Sequence, residues 1–166
     1  LSAEEAAEYY TDDWSETTVK TNVAQNKAAG GTSYKSGDAV DNAERRINVA
    51  FKAFDGDAFT EKEDTTAKPD TSTSEMNSFW KGYHADSSLC VDLGETRTVS
   101  EVEIQWRYGG KGKDFNILVS DDGENWTTAK EVRGNGDFFN TVSLDEPTEA
   151  RYVKMQGIAS NASAGI

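Results

Sequence analysis

Phe115-Asn-Ile-Leu-Val-Ser-Asp-Asp-Gly-Glu-Asn-Trp126 is the stretch on which the fold is decided. In its first half Phe115, Ile117 and Val119 share one face, Asn116 and Ser120 share the other, and only Leu118 breaks the polar side. A side-chain period of two belongs to a strand with one buried face. Asp121-Asp122-Gly123 then supplies turn residues, and Trp126 to Val132 returns as the partner strand.

The same alternation continues outward in both directions. Leu89, Val91 and Leu93 alternate with Cys90 and Asp92 until Gly94 ends the run. Val102, Ile104 and Trp106 alternate with Glu101, Glu103 and Gln105. Phe138 to Leu144 and Arg151 to Met155 give two more strands, separated by a turn around Pro147. No amphipathic helix intervenes, so the pattern predicts an all-β, antiparallel β-sandwich. Trp106 and Trp126 fall on strand patterns and are expected in the core, while Cys90 faces away from it.

Upstream the signal weakens. Residues 1–20 form an acidic leader or linker: Glu4, Glu5, Glu8, Asp12, Asp13 and Glu16 lie in its first 16 residues without a Lys or Arg. Ser2 and Glu5 have capping-box spacing, so Glu4 to Tyr10 is expected to be a short helix. Residues 21–166 are assigned to one module. Within it, 20–48 reads as turns, Val49 to Phe54 is a short apolar run, and 60–78 is a long polar loop.

Composition limits the function. The 166 residues carry 30 Asp and Glu against 17 Lys and Arg, a net charge of −13. That field repels phosphate backbones and anionic membrane surfaces, which argues against nucleic-acid binding and electrostatic lipid docking. No stretch approaches the roughly 20 apolar residues of a membrane span, so no membrane insertion is expected. One Cys and one His rule out an internal disulfide and any multi-His or Cys-rich metal centre. The chain opens at Leu1 without a basic, apolar leader, so a secretion signal is expected to have been removed or to lie outside these residues.

Three ordered segments carry a resemblance. They are Asn22-Val-Ala-Gln-Asn-Lys27; Ala53-Phe-Asp-Gly-Asp57 followed by Phe79-Trp80 and Leu89-Cys-Val-Asp-Leu-Gly94; and the 115–126 stretch followed by Ala150-Arg-Tyr-Val-Lys-Met155. The set resembles the discoidin, or coagulation factor 5/8 C-type, superfamily, and is most like a bacterial family 32 carbohydrate-binding module. The resemblance implies an eight-stranded jelly roll with a ligand site in loops at one end and no catalytic machinery. Two departures accompany it. The aromatic-Glu-aromatic closing strand of the family is missing from residues that end at Gly165-Ile166, and the 57–80 stretch is longer than the family norm.

Calcium takes six to eight hard oxygens on a backbone able to curl around the ion. Asp55 offers a carboxylate, Gly56 a tight turn, and Asp57 and Thr60 carbonyl or hydroxyl oxygens; a plain acidic turn is the simpler alternative. The resemblance implies a structural calcium held by the carbonyls of Lys52 and Asp57, the Asp55 carboxylate and both oxygens of Thr60.

Sugars are gripped by an aromatic face against ring C–H groups and by polar side chains on fixed hydroxyls. Phe79-Trp-Lys-Gly-Tyr-His84 concentrates such groups, giving Trp80, Tyr83 and His84 as candidates, with Trp80 equally readable as core. Arg107-Tyr-Gly-Gly-Lys-Gly-Lys113 reads as an exposed glycine-rich loop with donors at Arg107 and Lys113 and a ring at Tyr108. Its glycines do not have Walker spacing, which discounts nucleotide binding. Tyr34 and Asn161 complete the set. The final loop, Ser160 to Ala164, lacks the aromatic that often stacks on the sugar in family 32, which shifts weight to Tyr34, Tyr83 or Tyr108.

The reading is therefore a non-catalytic module of a larger secreted bacterial glycan-active enzyme or adhesin, binding galactose or N-acetylhexosamine termini and accompanied by other domains of its parent protein. A discoidin-like module that binds protein or lipid is the alternative, at odds with the acidity. A glycosidase in its own right gains nothing from a carboxylate count this high. A sandwich that only spaces other domains is the remaining possibility.

Overall fold

In the computed structural model, the described residues are 21–32, 53–54, 66, 80–106 and 110–161. They form strands β1 (Ala28–Thr32), β2 (Ser88–Gln105), β3 (Gly112–Ser120), β4 (Thr127–Val132) and β5 (Phe139–Ser160). All pair antiparallel in the order β1-β2-β5-β3-β4. The expected all-β, antiparallel fold is what the chain adopts. The expected leader helix at 4–10 and the long loop at 60–78 lie outside the described residues, apart from Thr66.

What the sequence divides into separate strands is continuous here. β2 contains both the 89–93 and 102–105 runs, and β5 contains both the 139–144 and 151–155 runs. The two long strands pair through a double irregularity. Residues 93–96 of β2 stand opposite the single residue Arg151, because Asp92 pairs with Tyr152 and Arg97 with Ala150. Residues 144–147 of β5 then stand opposite the single residue Ser100, because Val99 pairs with Thr148 and Glu101 with Ser143. Bulges of this kind bend and twist a sheet. Each directs a leucine inward, Leu93 and Leu144, both buried. The two arms of the β2–β5 ribbon consequently contribute to one core: Val91, Val153 and Met155 from one arm, Trp106, Val142 and Leu144 from the other, with Phe115 and Ile117 of β3 between them. Phe115 is fully buried and meets Trp106 edge-to-face with ring centroids 5.4 Å apart.

Polar groups hold the first bulge. Arg151 donates from Nε and an Nη to the two carboxylate oxygens of Asp92, each at 2.9 Å, and the Gly94 N–H donates to the same carboxylate at 2.8 Å. Gly94 has φ +87, a conformation that suits glycine. Hydrogen bonds from Arg151 and Gly94 pull the Asp92 carboxyl down to about 2.

The 120–126 turn is equally well organised. The Asp122 carboxylate accepts from the Asn125 side chain and backbone, both at 2.7 Å, from the Glu124 N–H at 2.8 Å and from the Ser120 hydroxyl. These bonds hold its carboxyl well below the usual carboxylate range. Trp126 departs from expectation: it is half-buried at the end of this turn, just before β4, and does not join the core. Its indole N–H donates to the Gly123 carbonyl at 3.1 Å, and the Lys154 ammonium lies 3.7 Å from its ring centroid. Cys90 faces away from the core as expected and is half-buried; burial raises its thiol pKa, against a smaller lowering by Lys154.

The fold lowers the Asp92 carboxyl to about 2, against about 3.9 in an unfolded chain. Its contribution is therefore complete above the unfolded value and disappears as pH falls from about 4 to about 2. Thermal melts across that window are expected to fall more steeply for the wild type than for Asp92→Asn. Equal slopes would remove the pair from the account of acid stability.

Candidate functional site

The start of β2 and the end of β5 lie side by side, so the loops on either side of them share one end of the sandwich. The Gly157 N–H of β5 donates to the Ser87 carbonyl at 3.0 Å, next to the 80–87 segment. Four residues further along, the Asn161 N–H donates to the Lys111 carbonyl at 2.9 Å, in the segment that joins β2 to β3. The last residues of β5 thus bridge the two segments that the sequence reading singles out for ligand contact.

In the first segment Trp80 is half-buried and backs the loop. Its ring lies so close to Gly31 and Gly82 that a Cβ would come within 2.5 Å of the ring at Gly31 and 2.9 Å at Gly82. Trp80 packs against the hydrophobic core, which gives it the role of a wall behind the loop. The turn is closed by Ser87, whose hydroxyl accepts the His84 N–H and whose own N–H donates to the His84 carbonyl, both at 3.1 Å. That leaves the His84 side chain exposed. Tyr83 is half-buried beneath the Lys81 ammonium, 4.7 Å from its ring centroid, and its enclosed hydroxyl has no hydrogen-bond partner among the described residues.

In the second segment, residues 107–109 lie outside the described ones, and Gly112 departs from the exposed glycine loop that the sequence predicts. Gly112 is buried and opens β3, because the Trp106 ring occupies the space its side chain would fill: a Cβ there would lie 2.7 Å from the indole. Lys111, absent from the candidate set, crosses to the neighbouring 134–138 loop, donating to the Gly136 carbonyl and lying 4.2 Å from the Phe138 ring centroid. Lys113 is exposed, and its carbonyl accepts the Asn135 N–H at 2.8 Å. Asn161 is exposed too, with its side-chain amide donating to the Asn135 carbonyl at 3.0 Å. Tyr34, Arg107 and Tyr108, and the calcium candidates Lys52, Asp55, Asp57 and Thr60, lie outside the described residues. Phe54, the described residue that precedes Asp55 in the sequence, accepts the Asn26 N–H on its carbonyl at 2.5 Å. Among the described residues no group of three His, Cys, Asp or Glu side chains is gathered for a metal.

Sequence reasoning passes over Asn135 entirely. This buried asparagine makes hydrogen bonds to four neighbouring stretches of chain, at 112–113, Asp137, Asn140 and Asn161. The only local signal is its position between Gly134 and Gly136, which marks a turn.

An antiparallel sandwich that gathers irregular loops at one end defines a discoidin-like module. The family model for the F5/8 type C domain matches residues 32–166, and the chain belongs to that family. Among solved structures, chitosan-binding module 1 from a chitosanase/glucanase of Paenibacillus sp. IK-5 is similar at TM-score 0.63 and 22% identity, over 87% of this chain and 92% of that one. The family 32 carbohydrate-binding module of Clostridium perfringens NanJ, solved with galactose, is similar at TM-score 0.52 and 22% identity, over 82% and 85%. A second C. perfringens module, solved with GalNAc-β-1,3-galactose, is similar at TM-score 0.55 and 21% identity, over 82% and 86%. Comparison with curated proteins gives no match. No helix among the described residues is long and apolar enough to cross a membrane.

The glycines of β1 test the packing behind the site. Gly31→Ala, whose Cβ would meet Trp80 and the Ser88 carbonyl, is expected to cost about 1–3 kcal/mol of unfolding free energy. Gly30→Ala, with open space around it, should stay within about 0.5 kcal/mol of wild type. Urea denaturation measures both; equal costs would mean that Trp80 is free to move aside.

Proposed function

We propose that this chain is a non-catalytic glycan-binding module, secreted as part of a larger bacterial glycan-active enzyme or adhesin. The observation that carries the reading is the meeting of Ser87 and Lys111 with the end of β5. Its support from similar folds is that the C. perfringens modules were solved with galactose and GalNAc-β-1,3-galactose and the Paenibacillus ones bind chitosan. In this reading His84 and Arg107 donate to sugar hydroxyls, Lys113 adds a cation at the rim, and Tyr34, Tyr83 or Tyr108 supplies the aromatic face. Trp80 and Asn161 brace the loops. A single shallow site of this type binds weakly, and the benefit to the parent protein is a raised local concentration on a repetitive glycan.

Calcium belongs to the same proposal, with the carbonyls of Lys52 and Asp57, the Asp55 carboxylate and Thr60 as ligands. Their donor set is all oxygen, as a hard cation requires. The bond from Asn26 to the Phe54 carbonyl fixes the chain one residue before Asp55. The role is structural, so calcium is expected to raise the melting temperature and chelator to reverse the rise; a flat response removes the metal.

Calorimetry with galactose, GalNAc-β-1,3-galactose and chitotriose tests the glycan reading. At least one is expected to bind, and Arg107→Ala and His84→Ala are each expected to weaken that binding tenfold or more, about 1.4 kcal/mol. Unchanged affinity in both variants would overturn these contacts. Co-sedimentation with anionic liposomes and no response to any sugar would favour the lipid alternative, against which the −13 charge already argues.

A further inference from the structure

We propose that Asn135 is a modification site: a centre of spontaneous deamidation that the fold keeps inert and that unfolding releases. The site is independent of any ligand the chain binds.

An asparagine deamidates when the backbone nitrogen of the next residue loses its proton and attacks the side-chain carbonyl carbon. A bond forms between that nitrogen and Cγ, the Cγ–Nδ2 bond breaks, and ammonia leaves. One water then opens the five-membered imide. Opening at the side-chain carbonyl gives aspartate, and opening at the main-chain carbonyl gives isoaspartate. A water enters, an ammonia departs, and nothing is oxidised or reduced. Glycine hinders the attack least, because no Cβ crowds its nitrogen. Asn135-Gly136 is the only Asn-Gly pair in the chain.

In the folded chain both reacting groups are held. Asn135 is only 8% exposed. Its Nδ2 donates to the Gly112 carbonyl at 2.8 Å and to the Asp137 carbonyl at 3.2 Å. Its Oδ1 accepts from Asn140 Nδ2 at 2.8 Å and from the Asp137 N–H at 3.0 Å. Asn140 is itself oriented by the Trp106 indole N–H, which can only donate and reaches Asn140 Oδ1 at 2.6 Å. The peptide that contains the attacking nitrogen accepts the Asn161 side-chain amide on its carbonyl at 3.0 Å. Attack makes Cγ tetrahedral and ends with Nδ2 departing, so it cannot proceed while the four side-chain bonds hold. If each bond is worth a factor of about 2 to 10 in an equilibrium, the open form is at least about tenfold rarer than the closed one.

The product cannot rebuild this arrangement. Aspartate at 135 turns an acceptor oxygen towards the Gly112 and Asp137 carbonyls and places a charge where the side chain is buried. Isoaspartate also lengthens the main chain by one atom between Gly134 and Gly136. Unfolding is therefore reversible while it is brief and becomes irreversible once Asn135 has reacted.

The test holds the chain near neutral pH, folded in buffer and unfolded in guanidinium chloride, and follows by peptide mass the gain that accompanies conversion of an amide to an acid. Asp55-Gly56 and Asp122-Gly123 isomerise without that gain, so they do not interfere. The peptide holding Asn135 is expected to react at least about tenfold faster in the unfolded chain. Gly136→Ala places its Cβ in open space, on backbone outside the left-handed region. It is expected to keep the wild-type melting temperature and to react at least about tenfold more slowly when unfolded. Asn140→Ala removes one of the four bonds, so its folded rate should rise about threefold while its unfolded rate stays as in wild type. On return to buffer, wild type should recover less of its native melting transition the longer it was held unfolded, and Gly136→Ala should recover fully. Equal folded and unfolded rates in wild type, or an unmoved folded rate in Asn140→Ala, overturn protection by the fold. Reaction spread over other asparagines, or a wild-type rate in unfolded Gly136→Ala, overturns the site. Full recovery of chains that have reacted at Asn135 overturns the irreversibility.

Discussion

The fold depends on β2 and β5 remaining paired around a bend. A straight ribbon of these two long strands would expose one apolar face along its whole length. The reciprocal irregularities at 93–96 and 144–147 turn the ribbon so that its arms face each other over Phe115 and Ile117. Burial supplies the driving force, but it has no direction. Direction comes from the Asp92–Arg151 fork, a bidentate pair whose geometry admits little play. The Asp-Leu-Gly and Arg-Tyr-Val runs are thus two halves of one corner: Asp92 grips Arg151, Leu93 enters the core, and Gly94 accepts the turned backbone.

That corner also explains where function can reside. Because the arms fold back, the beginning of β2 meets the same end of the molecule as the segment leaving Trp106. The bonds at Gly157 and Asn161 record this meeting. Trp80, Tyr83 and His84 therefore sit on irregular chain held by regular chain, an arrangement in which a loop can vary while its anchorage does not. The acidity of the chain has a narrower meaning in this setting. Asp92 and Asp122 are occupied with structural hydrogen bonds, and Asp55 and Asp57 are proposed for calcium, so the −13 charge is partly a set of assigned tasks.

Much of the fold was legible because it rests on local periodicity. Alternation in 89–93 and 115–119 gave the buried faces correctly, and Asp121-Asp122-Gly123 marked a true turn. The continuity of β2 and β5 was not legible, since Gly94 and Pro147 signal a break in any strand and only tertiary pairing carries the chain across them. Trp126 misled for a related reason: a large aromatic beside a strand reads as core, whereas its N–H was needed to close the turn. Of the candidate site, the sequence singled out the segments around Ser87 and Lys111 that the end of β5 brings together, and it passed over Asn135 beside them. An asparagine amide advertises no partner, and those of Asn135 lie on stretches that only the completed fold brings together.

The paired irregularities carry a consequence for how such a chain can change over generations. The three surplus residues in β2 are cancelled by three in β5, so the strands are in the same register on both sides of the corner. A single-residue insertion within either strand would break that cancellation and turn an entire arm inside out, apolar face to solvent. Only matched changes in both strands would preserve the registration. Added length is therefore accommodated in the loops beyond the ribbon far more readily than within it.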